Sequence, residues 1–418
     1  MMFWLGILVL VLAFVAIVKR YEARLVLFLA GLVMTLLAGK WTAAFDAFTA
    51  AMTNKGLVPV ICSVMGFAYV MKMTECDKHL VYLLANFLRR WRAILIPGTV
   101  VVTFVVNIAL PTAAGCAAAV GIVLIPTLIR AGIHPVIAAS AVLAGTWGSV
   151  LNPGTVHNPF IAKLANTDVM TIISGHFPAS MAGLAAVAIS LTVVARFLKE
   201  DRGYELAESE DSGADQAFKV NLIKAFIPVL PLTMLVLGSK QIHLIPEVSV
   251  LQAMIIGVIV GFAVTLKSPQ EISKQFFAGM GEAFGSVVGL IIAASVFIAG
   301  METMGIVKAL IDTMKESQGI AKLAAAWGPY VVTVLSGSGD AATLAFNGAI
   351  TPHAKDFGFE IPQIGSLAYL SGGLGRSMSP VAPVTIICAT LAGVNPIDMV
   401  KRNALGVVLG VFVVMLIL

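Results

Sequence analysis

The chain has 418 residues, 59% of them hydrophobic and only 12% charged, with 27 Lys and Arg against 22 Asp and Glu. Soluble domains carry about a quarter charged residues, so a mean hydropathy of +0.97 excludes an ordinary soluble globule. The net charge of +5 reads as basic loops beside a membrane, and no nucleic-acid motif accompanies it.

A helix of about 20 apolar residues crosses a bilayer of roughly 30 Å. In chain order the candidate spans are 2–18, 24–39, 56–74, 135–166 (broken), 177–198, 220–238, 249–266, 281–303, 363–394 (broken) and 400–418. No alternation of period two appears, which excludes a β-barrel. The expected fold is therefore an all-α polytopic membrane protein. The first segment lacks a charged leader region and a cleavage site and reads as a retained helix. Cys62, Cys76, Cys116 and Cys388 lie far apart, mostly in apolar segments, and read as small packing residues.

Basic residues follow alternate helices: Lys19, Arg20 and Arg24; Lys78, Arg89, Arg90 and Arg92; Arg196, Lys199 and Arg202. Positive loops stay cytoplasmic, so the N-terminus is expected on the periplasmic side. Residues 200–215 hold seven acids and one Arg and read as part of a solvated cytoplasmic linker, 200–219, between two halves.

The halves 1–199 and 220–418 align. "HPVIAASAVLAGTWGSVLNPG" (134–154) matches "IPQIGSLAYLSGGLGRSMSPV" (361–381) at a shift of 227, pairing Pro135 with Pro362, Gly145 with Gly372, Gly148 with Gly375, and Pro153 with Pro380. Upstream, Pro126 meets Pro352 at a shift of 226. Each half reads as about five membrane helices plus a non-crossing hairpin. An odd count inserts the second half upside down, giving inverted-topology repeats and a C-terminus also periplasmic. That arrangement is characteristic of secondary transporters.

Each half has an apolar run interrupted by small residues, then a helix broken at proline. The re-entrant hairpins are 93–131, turning at "LPTAAG" (110–115), and 320–352, turning at "LSGSGD" (335–340); the broken helices are 135–166 and 363–394. Unwound backbone inside a membrane needs protein, water or ligand as its partner. Exposed N–H groups at helix starts attract anions, and exposed carbonyls attract cations. Four symmetric breaks should therefore converge on a site, although packed turns and kinks would account for any one of them.

"SGSGDAA" followed by "GGLGRSMSPV", with "LNPGTVHN" (151–158) in the first half, resembles the DcuC family of anaerobic C4-dicarboxylate carriers, within a superfamily of elevator-type carriers. The similarity covers nearly the whole chain. It implies a scaffold, a moving transport domain with two hairpins, and a homodimer formed through the scaffold. It implies Asn where this chain has Asp340, and an acid near the position of His157.

A carboxylate in mid-membrane is costly and is a functional candidate. Asp340 is expected to serve ion coupling, with Gly337 and Gly339 letting the chain turn; the plain alternative is a helix cap. Coupling would use H⁺, or Na⁺ held near Asp340, and no other cofactor or metal is expected. Arg376 offers a bidentate fork to a substrate carboxylate, or else contacts a lipid headgroup. His157 can bind substrate or carry a proton, or simply bond to backbone. Asn158, Thr112, Asn152, Thr155, Ser336, Ser338, Ser377 and Ser379 complete the expected substrate-binding set. Glu282, in "GMGEAFGS", reads as structural, and Lys72, Glu75, Asp77 and Lys78 as a snorkelling helix end.

Gly337-Ser338-Gly339-Asp340 also spells the Gly-x-Gly-Asp of intramembrane aspartyl proteases, which need a second carboxylate; the chain has no Tyr-Asp to supply it. The expected function is not enzymatic: a secondary transporter, ion-coupled or exchanging, of C4-dicarboxylates such as succinate, fumarate or malate in a bacterial inner membrane. The competing reading is a cation/proton antiporter with Asp340 as ion ligand.

Overall fold

The computed structural model describes residues 2–88, 94–204, 218–240, 242–315 and 318–418. Arg89, Arg90 and Arg92, and residues 205–217 of the expected linker, lie outside the described residues. All regular structure among the described residues is helical.

The first half runs α1 (Met2–Val18), α2 (Ala23–Leu37), α3 (Thr42–Met52), α4 (Val58–Met73), α5 (Cys76–Leu88), α6 (Leu95–Ala109), α7 (Ala113–Arg130), α8 (Pro135–Gly145), α9 (His157–Leu164) and α10 (Val169–Phe197). The second runs α11 (Leu222–Phe226), α12 (Leu230–Leu237), α13 (Val250–Thr265), α14 (Pro269–Ala283), α15 (Gly289–Thr303), α16 (Ile306–Lys315), α17 (Gln318–Ser336), α18 (Gly339–Ala349), α19 (Ile361–Arg376), α20 (Pro383–Ala392) and α21 (Pro396–Ile417). Elements recur along the chain: α13, α18, α19, α20 and α21 each begin 226 or 227 residues after α2, α7, α8, α9 and α10.

Among the described residues five helices are long and apolar enough to span, six if α4 and α5, bent by 73°, form one span. The expected 281–303 is the end of a 35-residue helix, Pro269–Thr303, carrying a π turn at Phe284–Val288. The expected 177–198 starts earlier, at Val169, because Asp168 accepts from Thr171 N–H (2.9 Å) and caps the helix. The expected 220–238 is divided by a 3₁₀ turn at Ile227–Val229, where Pro228 and Pro231 remove backbone donors. Helices α1, α2 and α13 have only 17, 15 and 16 residues. At 1.5 Å per residue they cover roughly 25 Å.

One apolar core unites α5–α10 with α17 and α19–α21; a second unites α1, α2, α4, α14–α16 and α18. Helices α10 and α21 run antiparallel. Gly183 abuts Val414 and Gly406 abuts Val187. At the far end Arg402 grips Glu200 with two bonds, of 2.7 and 3.2 Å. Glu200 is therefore pinned, with only 15% of its side chain exposed, and is not part of a solvated linker.

Glycine makes the close approaches around the broken helices. A Cβ at Gly148 would sit 2.0 Å from the Phe104 carbonyl oxygen of α6. At Gly375, 227 residues further along the chain, a Cβ would sit 2.8 Å from the Tyr330 carbonyl oxygen of α17. The four cysteines are buried and free.

Candidate functional site

Both hairpins turn where the sequence places small residues. The first breaks between α6 and α7, over Leu110–Thr112; the second breaks between α17 and α18, where Gly337 adopts φ +77°, a conformation that favours glycine. The broken helices open between α8 and α9 and between α19 and α20. The N-terminal ends of α7, α9, α18 and α20 all reach one cavity of ≈ 320 Å³. At each end the capping residue (Thr112, Val156, Ser338, Ala382) makes no side-chain cap hydrogen bond. First-turn N–H groups therefore stay available, and the helix dipoles add positive potential there.

The walls carry Thr112, Ser149, Thr155, His157, Glu282, Ser286, Asp340, Thr343, Tyr369 and Arg376 among apolar residues that include Ile61, Met65 and Val287. Asp340 lies in the first turn of α18 with 54% of its side chain open to the cavity. Its Oδ1 is 3.1 Å from His157 Nε2, so the carboxylate is turned toward the other half of the chain and does not cap its own helix. His157 is almost wholly buried, and its Nδ1 has no partner among the described residues. Its ring lies 4.3 Å from that of Tyr369, centroid to centroid. Tyr369 in turn donates to Thr155 Oγ1 (2.9 Å) and to the Ser149 carbonyl (3.3 Å). Arg376 donates through Nη2 to the Thr146 carbonyl (3.2 Å), while its buried Nε has no partner among the described residues. A guanidinium so tethered is held in place with donors to spare.

The expected residues do not all face the cavity. Thr112, Thr155, His157, Gly339, Asp340 and Arg376 line the cavity together. Asn152, Asn158, Ser377 and Ser379 are buried behind it. Asn158 Nδ2 donates to the carbonyls of Val150 and Asn152, Asn152 binds the Ile108 carbonyl and Gly154 N–H, and Ser377 donates to the Leu143 carbonyl. Asn152, Asn158 and Ser377 thus satisfy backbone around the breaks, which is why polar residues cluster there, whereas the buried Ser379 Oγ has no partner among the described residues. Ser336 and Ser338 point elsewhere, into a small apolar crevice beside Ala13, Ile17 and Phe297. Ser338 N–H donates to Ser336 Oγ at 3.2 Å. Gly337 shapes the turn and does not line the cavity.

Sequence reasoning missed Tyr369, Thr343, Ser149 and Ser286, and read Glu282 as structural, whereas it stands on the cavity wall. The available signals were Tyr369 inside the repeated segment and the Gly-rich run around Glu282, where the π turn opens the helix. Such turns often occur at functional positions.

A family model described as C4-dicarboxylate anaerobic carrier, DcuC, matches residues 1–418. The chain belongs to the DcuC family. That family is one of membrane carriers, not enzymes. The anaerobic C4-dicarboxylate transporter DcuC of Escherichia coli (strain K12) is 26% identical, covering 98% of this chain and 94% of its own length. An uncharacterized transporter of Haemophilus influenzae is 40% identical over 271 residues, 63% of this chain and 97% of its own. Among solved structures, Neisseria gonorrhoeae MtrF, described as illuminating a class of antimetabolite efflux pumps, superposes with a TM-score of 0.65 at 12% identity. It covers 91% of this chain and 85% of its own. The Alcanivorax borkumensis YdaH transporter gives 0.61 at 15%, over 90% and 87%. At such identities these two carry the fold alone. This family membrane carrier is an integral membrane protein.

Proposed function

We propose that the chain is a secondary active transporter of C4-dicarboxylates of the succinate, fumarate or malate type in the bacterial inner membrane, with both termini periplasmic. The observation that carries this is the convergence of Arg376 and four uncapped helix N-termini on one cavity. Each carboxyl group of a C4-dicarboxylate can then meet its own donors: the Arg376 fork for one, first-turn N–H groups for the other. The family's substrate, as its description gives it, agrees with this electrostatics.

Transport runs through two inverted repeats. The support is the recurrence of elements at 226–227 residues, together with the antiparallel packing of α10 on α21, which are equivalent under that offset. The hairpins and broken helices pack chiefly in the first apolar core and move as an elevator body. Helices α2, α4, α14 and α15 form the scaffold, through which a homodimer assembles. Asp340 couples the cycle to H⁺ or Na⁺. A cation/proton antiporter would use the same carboxylate but has no use for Arg376 or for helix N-termini facing its site.

The deciding experiment is uptake of labelled succinate into proteoliposomes, with Na⁺ and pH gradients imposed separately. Accumulation driven by one of the gradients is expected. Cation-driven proton flux that ignores every dicarboxylate would replace this reading with the antiporter.

A further inference from the structure

Glu282 is the feature of the cavity that dicarboxylate transport does not explain. It stands on α14 and lines the same cavity as Asp340 and Arg376. Among the described residues its carboxylate makes no ion pair and no side-chain hydrogen bond; only its backbone carbonyl is engaged, by Ser286 Oγ (2.6 Å). The charged and titratable groups around it are few. Across the cavity stand Asp340, His157, Tyr369 and Arg376. From α2 comes Arg24, which donates to the Gly285 carbonyl (2.5 Å) but is already paired with Glu22. Helix α4, packed along α14, contributes only Ile61 and Met65 to the cavity. The walls therefore hold two carboxylates against one guanidinium, and the imidazole is committed to Asp340. A fully ionised dicarboxylate seated on Arg376 would carry a second full charge, offset only by helix N-termini, into a cavity that already holds the unpaired Glu282.

We propose that Glu282 is a specificity-determining residue: it makes the cavity select the singly protonated dicarboxylate over the dianion. The substrate brings this proton from bulk water on its distal carboxyl group and carries it through the cycle, so a proton accompanies each molecule. The inference rests on the dicarboxylate reading above. One like charge across a cavity of this size, roughly 10 Å away through an effective dielectric of about 20, changes affinity about tenfold.

The test is initial uptake of labelled succinate by the reconstituted full chain across a pH series spanning the substrate's second ionisation. In the parent, apparent KM should rise as the dianion takes over. In Glu282→Gln, KM at the alkaline end should fall about tenfold and its pH dependence should flatten, while Glu282→Asp should keep the parent's profile. A Glu282→Gln profile parallel to the parent's overturns the inference and leaves dicarboxylate transport standing. So does a folded Glu282→Gln protein that has lost uptake at every pH. A parent that takes up no dicarboxylate at any pH overturns the underlying reading and this inference with it.

Discussion

The contact between His157 and Asp340 joins the first broken helix to the second hairpin, and its strength can be measured by removing each partner and then both. His157→Phe keeps a ring against Tyr369 and deletes the nitrogens; Asp340→Asn keeps the shape and deletes the charge. The geometry accommodates one N–H on the imidazole, on Nε2, donating to Oδ1 at 3.1 Å, because the buried Nδ1 has no acceptor among the described residues. A hydrogen bond to a charged partner contributes about 1.5–3 kcal/mol. With 54% of the Asp340 side chain open to the cavity, part of that is lost to screening. The expected coupling energy is therefore about 1–2 kcal/mol, or a factor of about 5–30. Equilibrium unfolding in mixed detergent micelles gives the four free energies of the cycle. The double variant should be less destabilised than the sum of the singles by that amount. Additivity within about 0.5 kcal/mol would show that the two side chains are neighbours without a coupled bond.

In proteoliposomes, Asp340→Asn should abolish accumulation driven by the ion that Asp340 binds, while substrate exchange down its own gradient and any proton carried on the substrate itself survive; unchanged ion dependence would take Asp340 out of coupling. Arg376→Lys should weaken dicarboxylate binding, since a point charge cannot replace the fork; loss of one partner from a desolvated charge pair costs about 2–5 kcal/mol, and unchanged uptake affinity in Arg376→Ala would remove the residue from the site. Gly154→Ala places a Cβ 1.9 Å from Val64 Cγ2 on α4, an overpacking that typically costs about 1–3 kcal/mol; thermal melts should show the loss and only a partial recovery in Gly154→Ala/Val64→Ala, because Val64 Cβ would still stand 2.5 Å away, and a neutral single variant would refute the close approach.

Much of this architecture was legible because its signals are local. The hairpin turns were visible where Leu110–Thr112 and Gly337 interrupt apolar runs, and the broken helices where Pro153 and Pro380 follow glycine-rich stretches. Helix extents were less legible. Hydropathy marks the apolar part of α14 and α15 but not its amphipathic start from Pro269, and it cannot see that α4 turns by 73° into α5. In the cavity, Asp340, His157 and Arg376 stood out as costly residues beside breaks. The side chains that satisfy unwound backbone carry the same polar signature as those facing the cavity, so sequence could not separate Asn158 from Thr155. Glu282 was obscured for the opposite reason, because it lies far from any break and reaches the site only through packing in three dimensions.

The two carboxylates of the cavity stand on different elements, Asp340 on α18 and Glu282 on α14, and under the proposed elevator movement they would do different work. Asp340 and His157 stand on a hairpin and a broken helix, beside Arg376 and Tyr369 on α19, whereas Glu282 stands on the long helix of the other wall. An elevator movement would carry the first four residues together and leave Glu282 behind. The His157–Asp340 bond would then persist through the cycle, preserving the substrate and ion site intact, while the charge facing the bound substrate would change as the wall slides away. Selection by Glu282 would act only in the state that brings the two bodies together. The pH dependence of uptake and that of release need not match, and transport measured in the two directions across an oriented membrane should differ in its response to Glu282→Gln. An equal response in both directions would place Glu282 on the moving body.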